Sequence, residues 1–154
     1  KAAPAACQTM AKVCSVQKDI SELDKSVQKL EASAPGSVKL TKNIAEALDL
    51  GVKEIDKMGG ISALPAPLRD AANDLKKCAS SFNKFTEDYK AYAETSAWNV
   101  FGSWSRGNAA KASWGEFQTD YNNFLRHVPA PLKDPALQQA ASNVFNTLGK
   151  ILNP

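Results

Sequence analysis

Few side chains in this sequence are equipped for acid–base or nucleophilic work. His127 is the only histidine, and it closes a helical pattern beside Arg126. A histidine so placed reads as a capping or surface residue rather than a general base. The acidic pair Glu87-Asp88 lies among lysines on what reads as a solvated helix face. Cys7, Cys14 and Cys78 lack the spacing of a zinc site, and there is no second histidine to complete one. Neither a glycine-rich phosphate loop nor a Gly-x-Ser-x-Gly elbow occurs. The reading is of a protein that is not an enzyme, with no cofactor and no metal.

What the sequence concentrates is aromatic surface. Eleven of the twelve aromatic residues fall between Phe82 and Phe124, and only Phe145 lies outside. Aromatic rings bring large apolar area, with a hydrogen-bonding handle on Tyr and Trp. The expected site is therefore apolar, built from Phe82, Phe85, Tyr89, Trp98, Phe101, Trp104, Trp114, Phe117 and Tyr121. Tyr89, Tyr92, Tyr121 and the indoles would supply hydrogen bonds, and Arg106, Lys111 or Arg126 would meet a carboxylate. The plainer alternative is that rings at heptad spacing are simply core.

The elements that would position these residues read as helices throughout. Residues 6–33 carry a seam of Val13, Ile20 and Val27 beside Val16, Leu23 and Leu30, and are expected to form one helix. Ser33-Ala34-Pro35-Gly36-Ser37 breaks it. A second helix is expected from about Leu40 to Met58, closed by Gly59-Gly60. A third, from near Pro67, has the cleanest heptad: Leu68, Leu75, Phe82 and Tyr89 in one row, Ala71, Cys78, Phe85 and Tyr92 in the other. Residues 94–110 are the least regular, and two readings stand: an aromatic functional loop, or a short helix folding Trp98, Phe101 and Trp104 back onto the bundle. The fourth helix runs from about Ala110 to His127. Asp134-Pro135 opens a last one carrying Leu137, Ala141, Val144, Leu148 and Ile151. The fold class is all-α: a single domain over 1–154, a bundle of four or five antiparallel helices, with residues 1–5 a flexible terminus.

The chain has 154 residues, enough for one hydrophobic core. Its net charge of +3, from 19 basic and 16 acidic residues, is too mild to argue for nucleic acid. No stretch is long and apolar enough for a transmembrane segment. The opening Lys-Ala-Ala-Pro-Ala-Ala reads as a mature end left after removal of a targeting segment. On one continuous helix Cys7 and Cys14 stand ~10 Å apart along the axis, too far to pair unless the chain folds back. Cys78 faces the core, so it is either a bridge partner for the first helix or a small buried hydrophobe.

The segment Val16-Gln-Lys-Asp-Ile-Ser-Glu-Leu-Asp-Lys-Ser-Val-Gln-Lys-Leu30 resembles the opening of the fungal hydrophobic surface binding protein A family, which includes cell-wall galactomannoproteins. Val128-Pro129, Leu132 and the Ala-rich tail are similar to it as well. The resemblance implies a secreted or cell-wall, non-enzymatic helical domain that adsorbs to hydrophobic surfaces or holds a fatty acid. A second resemblance is to plant invertase and pectin methylesterase inhibitors, carried by the early cysteine pair, Leu75-Lys-Lys-Cys78 and the closing Ser142-Asn143…Leu148…Ile151-Leu152. It implies disulfides, and a secreted hydrolase as partner of an inhibitor or effector.

Overall fold

The computed structural model describes residues 2–133, and the expected last helix from Asp134 lies outside them. Among the described residues there are five α-helices and two short 3-10 turns, with no strand. The helices are α1 (Ala2–Cys14), α2 (Gln17–Gln28), α3 (Pro35–Lys57), α4 (Ala66–Ala93) and α5 (Val100–His127). The 3-10 turns are Ile61–Ala63 and Ala130–Lys133. The result is an all-α bundle. Residues 2–5, read as a flexible terminus, lie in the first turns of α1.

The expected helix over 6–33 is two helices. Ser15 and Val16 form a turn between α1 and α2, with Val16 at φ −84° and ψ 4°. The apolar seam runs through this break without losing register: Val13, Ile20, Leu23 and Val27 are all buried. The break frees carbonyls that an unbroken helix would have used. The Tyr121 hydroxyl donates to Val13 O at 2.7 Å and to Cys14 O at 3.3 Å. Gln17 Nε2 donates to Cys14 O at 3.2 Å. A ring on α5 thus closes the joint between the first two helices.

Two helix ends use the same device in different residues. At the end of α3 the chain turns through Gly59 (φ 104°), and Gly60 N bonds back to Ile55 O at 3.0 Å. At the end of α2, Glu31 N reaches Ser26 O at 2.9 Å and Leu30 N reaches Val27 O at 3.0 Å. That is the double bond of a left-handed helix stop, normally built on glycine. Here Leu30 takes the left-handed position at φ 55°. Its side chain packs onto Gly107 of α5, where an added Cβ would lie 2.8 Å from Leu30 Cδ1 and 3.3 Å from Tyr92 Cε1. Gly107 is the notch that lets α5 approach the turn between α2 and α3.

Helices α4 and α5 form an antiparallel hairpin with the most extensive contact among the described elements. Its pairs run in opposite order along the two helices: Asp74 meets His127, Phe82 meets Phe117, and Tyr92 faces Gly107. The heptad row read from α4 is inward-facing: Leu68, Ala71, Leu75, Cys78, Phe82, Phe85 and Tyr89 are all buried. Helices α1, α2 and α3 cover the hairpin with Met10, Val13, Leu23, Ile44, Leu48 and Ile55.

Candidate functional site: an aromatic tip at one end of the bundle

The aromatic region divides into an inner and an outer set. The inner set holds six of the nine rings expected at the site: Phe82, Phe85, Tyr89, Trp114, Phe117 and Tyr121. All are at most 3% exposed. They fill the hairpin by touching one another. Phe82 and Phe117 centroids lie 4.8 Å apart edge-on, Phe85 stacks on Tyr89 at 4.9 Å, and Trp114 sits 4.9 Å from Phe85. Such offset and edge-on arrangements are those the ring quadrupole favours. Their polar atoms are engaged within the fold. Trp114 Nε1 donates to Asp24 Oδ1 at 2.8 Å, and the Tyr89 hydroxyl lies 3.1 Å from Ser37 Oγ. Asp24 also accepts from Gln28 at 3.2 Å and Gln118 at 3.4 Å, tying α2 to α5.

The outer set is Trp98, Phe101 and Trp104, exposed by 94%, 87% and 71%, with Val100 beside them at 70%. Both readings of residues 94–110 need correction here. The irregular connection is only Glu94–Asn99, because α5 begins at Val100. The rings of this stretch do not fold back onto the bundle. Phe101 and Trp104, one helical turn apart, share a face of the first turns of α5, and Trp98 precedes them in the connection. The start of α5 is fixed by Asn99, whose side chain accepts from Gly102 N at 2.9 Å. The connection is held from the other side by Arg106, which donates to Thr95 Oγ1 at 2.6 Å. Thr95 in turn donates to Ala91 O at 2.8 Å. The exposed rings therefore stand on an anchored turn.

Two open grooves of about 440 and 420 Å³ adjoin this end. They share Ala32, Ser33 and Ala93, and lie between the turn joining α2 to α3 and the end of α4. Tyr89 and Lys90 line one groove, and Tyr92 and Ser103 the other.

Burial favours the neutral form of the three thiols and of two tyrosine hydroxyls. Cys7, Cys14 and Cys78 are free thiols, all buried, so of the two readings left open for Cys78 the bridge to the first helix is not formed. Cys78 is the small buried hydrophobe of the two readings. Burial pushes the Cys14 thiol up to about 12, with Lys133 opposing. Burial likewise raises Cys7, Cys78, Tyr89 and Tyr121. A thiol so raised is a poor nucleophile, because the thiolate is the reactive form. His127 is paired with Asp74 on α4, the contact missed from the sequence, where it read as a cap or surface residue. The residues lie on different helices, and no spacing along the chain signals their meeting. No group of His, Cys, Asp and Glu suited to a metal ion occurs among the described residues. No helix among them is long and apolar enough to cross a membrane.

Compared with known proteins, the chain matches no family model, no curated protein and no solved structure.

Proposed function

We propose that this protein is a non-enzymatic binder of apolar–water interfaces, which it engages with the tip formed by Trp98, Phe101 and Trp104. The observation that carries this reading is the exposure of three large rings on one anchored turn, at 71–94%. Single exposed apolar residues are ordinary, whereas a contiguous patch marks a binding surface. Tryptophan suits a boundary where one side is apolar and the other wet. At 150–250 Å² per ring the tip offers about 500 Å². A stable complex with another protein needs about 800 Å² from each partner. The tip is small for that, and its rings stand proud of the surface instead of lying in a recess. Burying a ring of this size contributes ~1.5–3 kcal/mol, so three give up to ~9 kcal/mol before the costs of association.

The reading agrees with the resemblance to the fungal surface-binding family and carries its secreted setting as part of the proposal. Buried thiols suit such a setting, since burial shelters them from oxidation. Within this reading an enclosed fatty-acid site among the inner rings is disfavoured, because those rings fill the space between α4 and α5 themselves.

The test is adsorption to octyl-coated beads and to oil droplets, followed by the emission of Trp98 and Trp104. The expected outcome is a blue shift on adsorption, abolished in W98S/F101S/W104S. Equal adsorption by that variant would refute the tip as the anchor. Retention of a hydrolase, with no affinity for either apolar phase, would favour the inhibitor reading instead.

A further inference from the structure

The surroundings of the tip say which interface it meets. From Thr95 to Gly115 the sequence contains no Asp or Glu, while Arg106 and Lys111 both fall within it and both are exposed. Phe101, Trp104, Asn108 and Lys111 follow one another at helical spacing along a single exposed stripe of α5. Lys111 stands two turns behind Trp104, ~10 Å along the helix axis. Arg106 leaves the helix on the other flank, where Thr95 takes one of its five donors and the remainder face solvent. The acids nearest the tip lie on the groove side, away from the stripe. Glu94 pairs with Lys90 at 3.9 Å, and Glu31 lines the groove beside Ser103. The amino end of α5 adds its partial positive charge at the same place.

Resting on the interface reading above, we infer that the tip docks on phospholipid bilayers bearing anionic head groups, with Trp98, Phe101 and Trp104 at the acyl boundary and Arg106 and Lys111 on the phosphates. The depths agree with this. Apolar side chains of surface-bound helices enter ~5–10 Å into the boundary between head groups and acyl chains. A lysine ~10 Å behind Trp104 then meets the head-group layer, and its long stem lets the ammonium reach a phosphate. An uncharged oil or wax would engage the rings but offer neither cation a counter-charge.

The experiment uses the full chain, intrinsic tryptophan emission, and two kinds of vesicle: phosphatidylcholine alone, and phosphatidylcholine with phosphatidylglycerol. Tighter partitioning to the anionic vesicles is expected, lost near 1 M salt, where screening acts within ~3 Å. Each cation near an anionic surface strengthens binding roughly fivefold, so R106Q/K111Q is expected to bind the anionic vesicles about 30-fold more weakly. K111Q alone, which leaves the Arg106 bond to Thr95 in place, should bind neutral vesicles unchanged and anionic vesicles about fivefold more weakly. R106K keeps the charge and loses only the guanidinium bond to Thr95, so it should retain anionic preference; its loss there would reassign Arg106 to holding the turn and overturn its part in the inference. Equal partitioning to both vesicles without salt dependence would overturn the inference and leave the tip reading intact. So would adsorption to oil droplets with no binding to either vesicle, whereas no adsorption to any of these surfaces would overturn both. A blue shift produced by inorganic phosphate alone would also overturn it, since the site would then be for a free anion.

Discussion

Replacing Tyr121 by phenylalanine isolates one oxygen at the joint between α1 and α2. The ring stays, so its contacts with Phe117 and Phe124, at 6.0 and 5.8 Å between centroids, are kept and no cavity opens. What goes is the donor to Val13 O at 2.7 Å and Cys14 O at 3.3 Å. The Cys14 carbonyl keeps Gln17 Nε2 at 3.2 Å. Val13 O keeps only Val16 N at 3.4 Å, longer than a normal amide bond. Both Val13 and Tyr121 are buried, so water cannot readily replace the hydroxyl. Leaving a buried carbonyl unsatisfied costs ~1–3 kcal/mol. At this chain length each kcal/mol moves Tm by ~2–4 °C, so Y121F should melt roughly 2–12 °C lower. Urea unfolding followed by far-ultraviolet circular dichroism measures the loss directly, with an unchanged slope showing that the unfolded state is the same. A loss below ~0.5 kcal/mol would refute the claim that this hydroxyl closes the joint.

Three other outcomes are expected. W98S/F101S/W104S should unfold within about 0.5 kcal/mol per site of the parent, because its rings touch solvent in the folded state; a much larger loss would show that they are part of the core. Stability should fall as pH rises above ~8.5, the unfolded thiol value. Cys14 has its folded value raised, so its contribution is complete below the unfolded value and is lost at ~1.4 kcal/mol per pH unit up to about 12. The raised Tyr121 acts in the same direction above ~10, and a Tm constant to pH 11 would contradict both. G107A should fail to gain the ~1 kcal/mol that alanine normally brings to a helix interior, because its Cβ must displace Leu30 and Tyr92. A full gain in thermal melts would show that the notch is not needed.

The packing of α4 is readable from its heptads because every turn repeats the same inward rows, and Leu68, Leu75, Phe82 and Tyr89 carry that regularity unambiguously. The same holds for Trp114, Phe117, Tyr121 and Phe124 on α5, all of them buried. Elsewhere the pattern hides the outcome. The seam of Val13, Ile20 and Val27 stays in phase across the break at Ser15-Val16, which contains neither Gly nor Pro. Its partner, the Tyr121 hydroxyl, is distant in sequence. The start of α5 is obscured for the opposite reason. Gly102, Ser103, Ser105 and Gly107 are poor helix formers, and the helix holds there through the Asn99 cap and the packing of Leu30 into the Gly107 notch. Spacing alone also cannot separate inner from outer rings. Phe101 and Trp104 repeat as regularly as Phe117 and Tyr121, but they lie beyond the reach of the covering helices.

The hairpin of α4 and α5 holds every inner ring, whereas α1, α2 and α3 contribute aliphatic cover. Contacts within a hairpin close short loops, so they form early and open late, while the cover must assemble across longer stretches of chain. The hairpin is thus suited to survive a partial opening in which the first three helices lift away. Such an opening would uncover the side of the ring cluster that now lies under α2 and α3, where Trp114 meets Asp24 and Phe82 borders Ala45 and Leu48, on the same two helices that border the tip. A molecule already held at an apolar boundary by Trp98, Phe101 and Trp104 would then have a second and larger greasy face to spread along it. Attachment and spreading would be successive uses of one hairpin, set apart by the free energy that keeps three aliphatic helices in place.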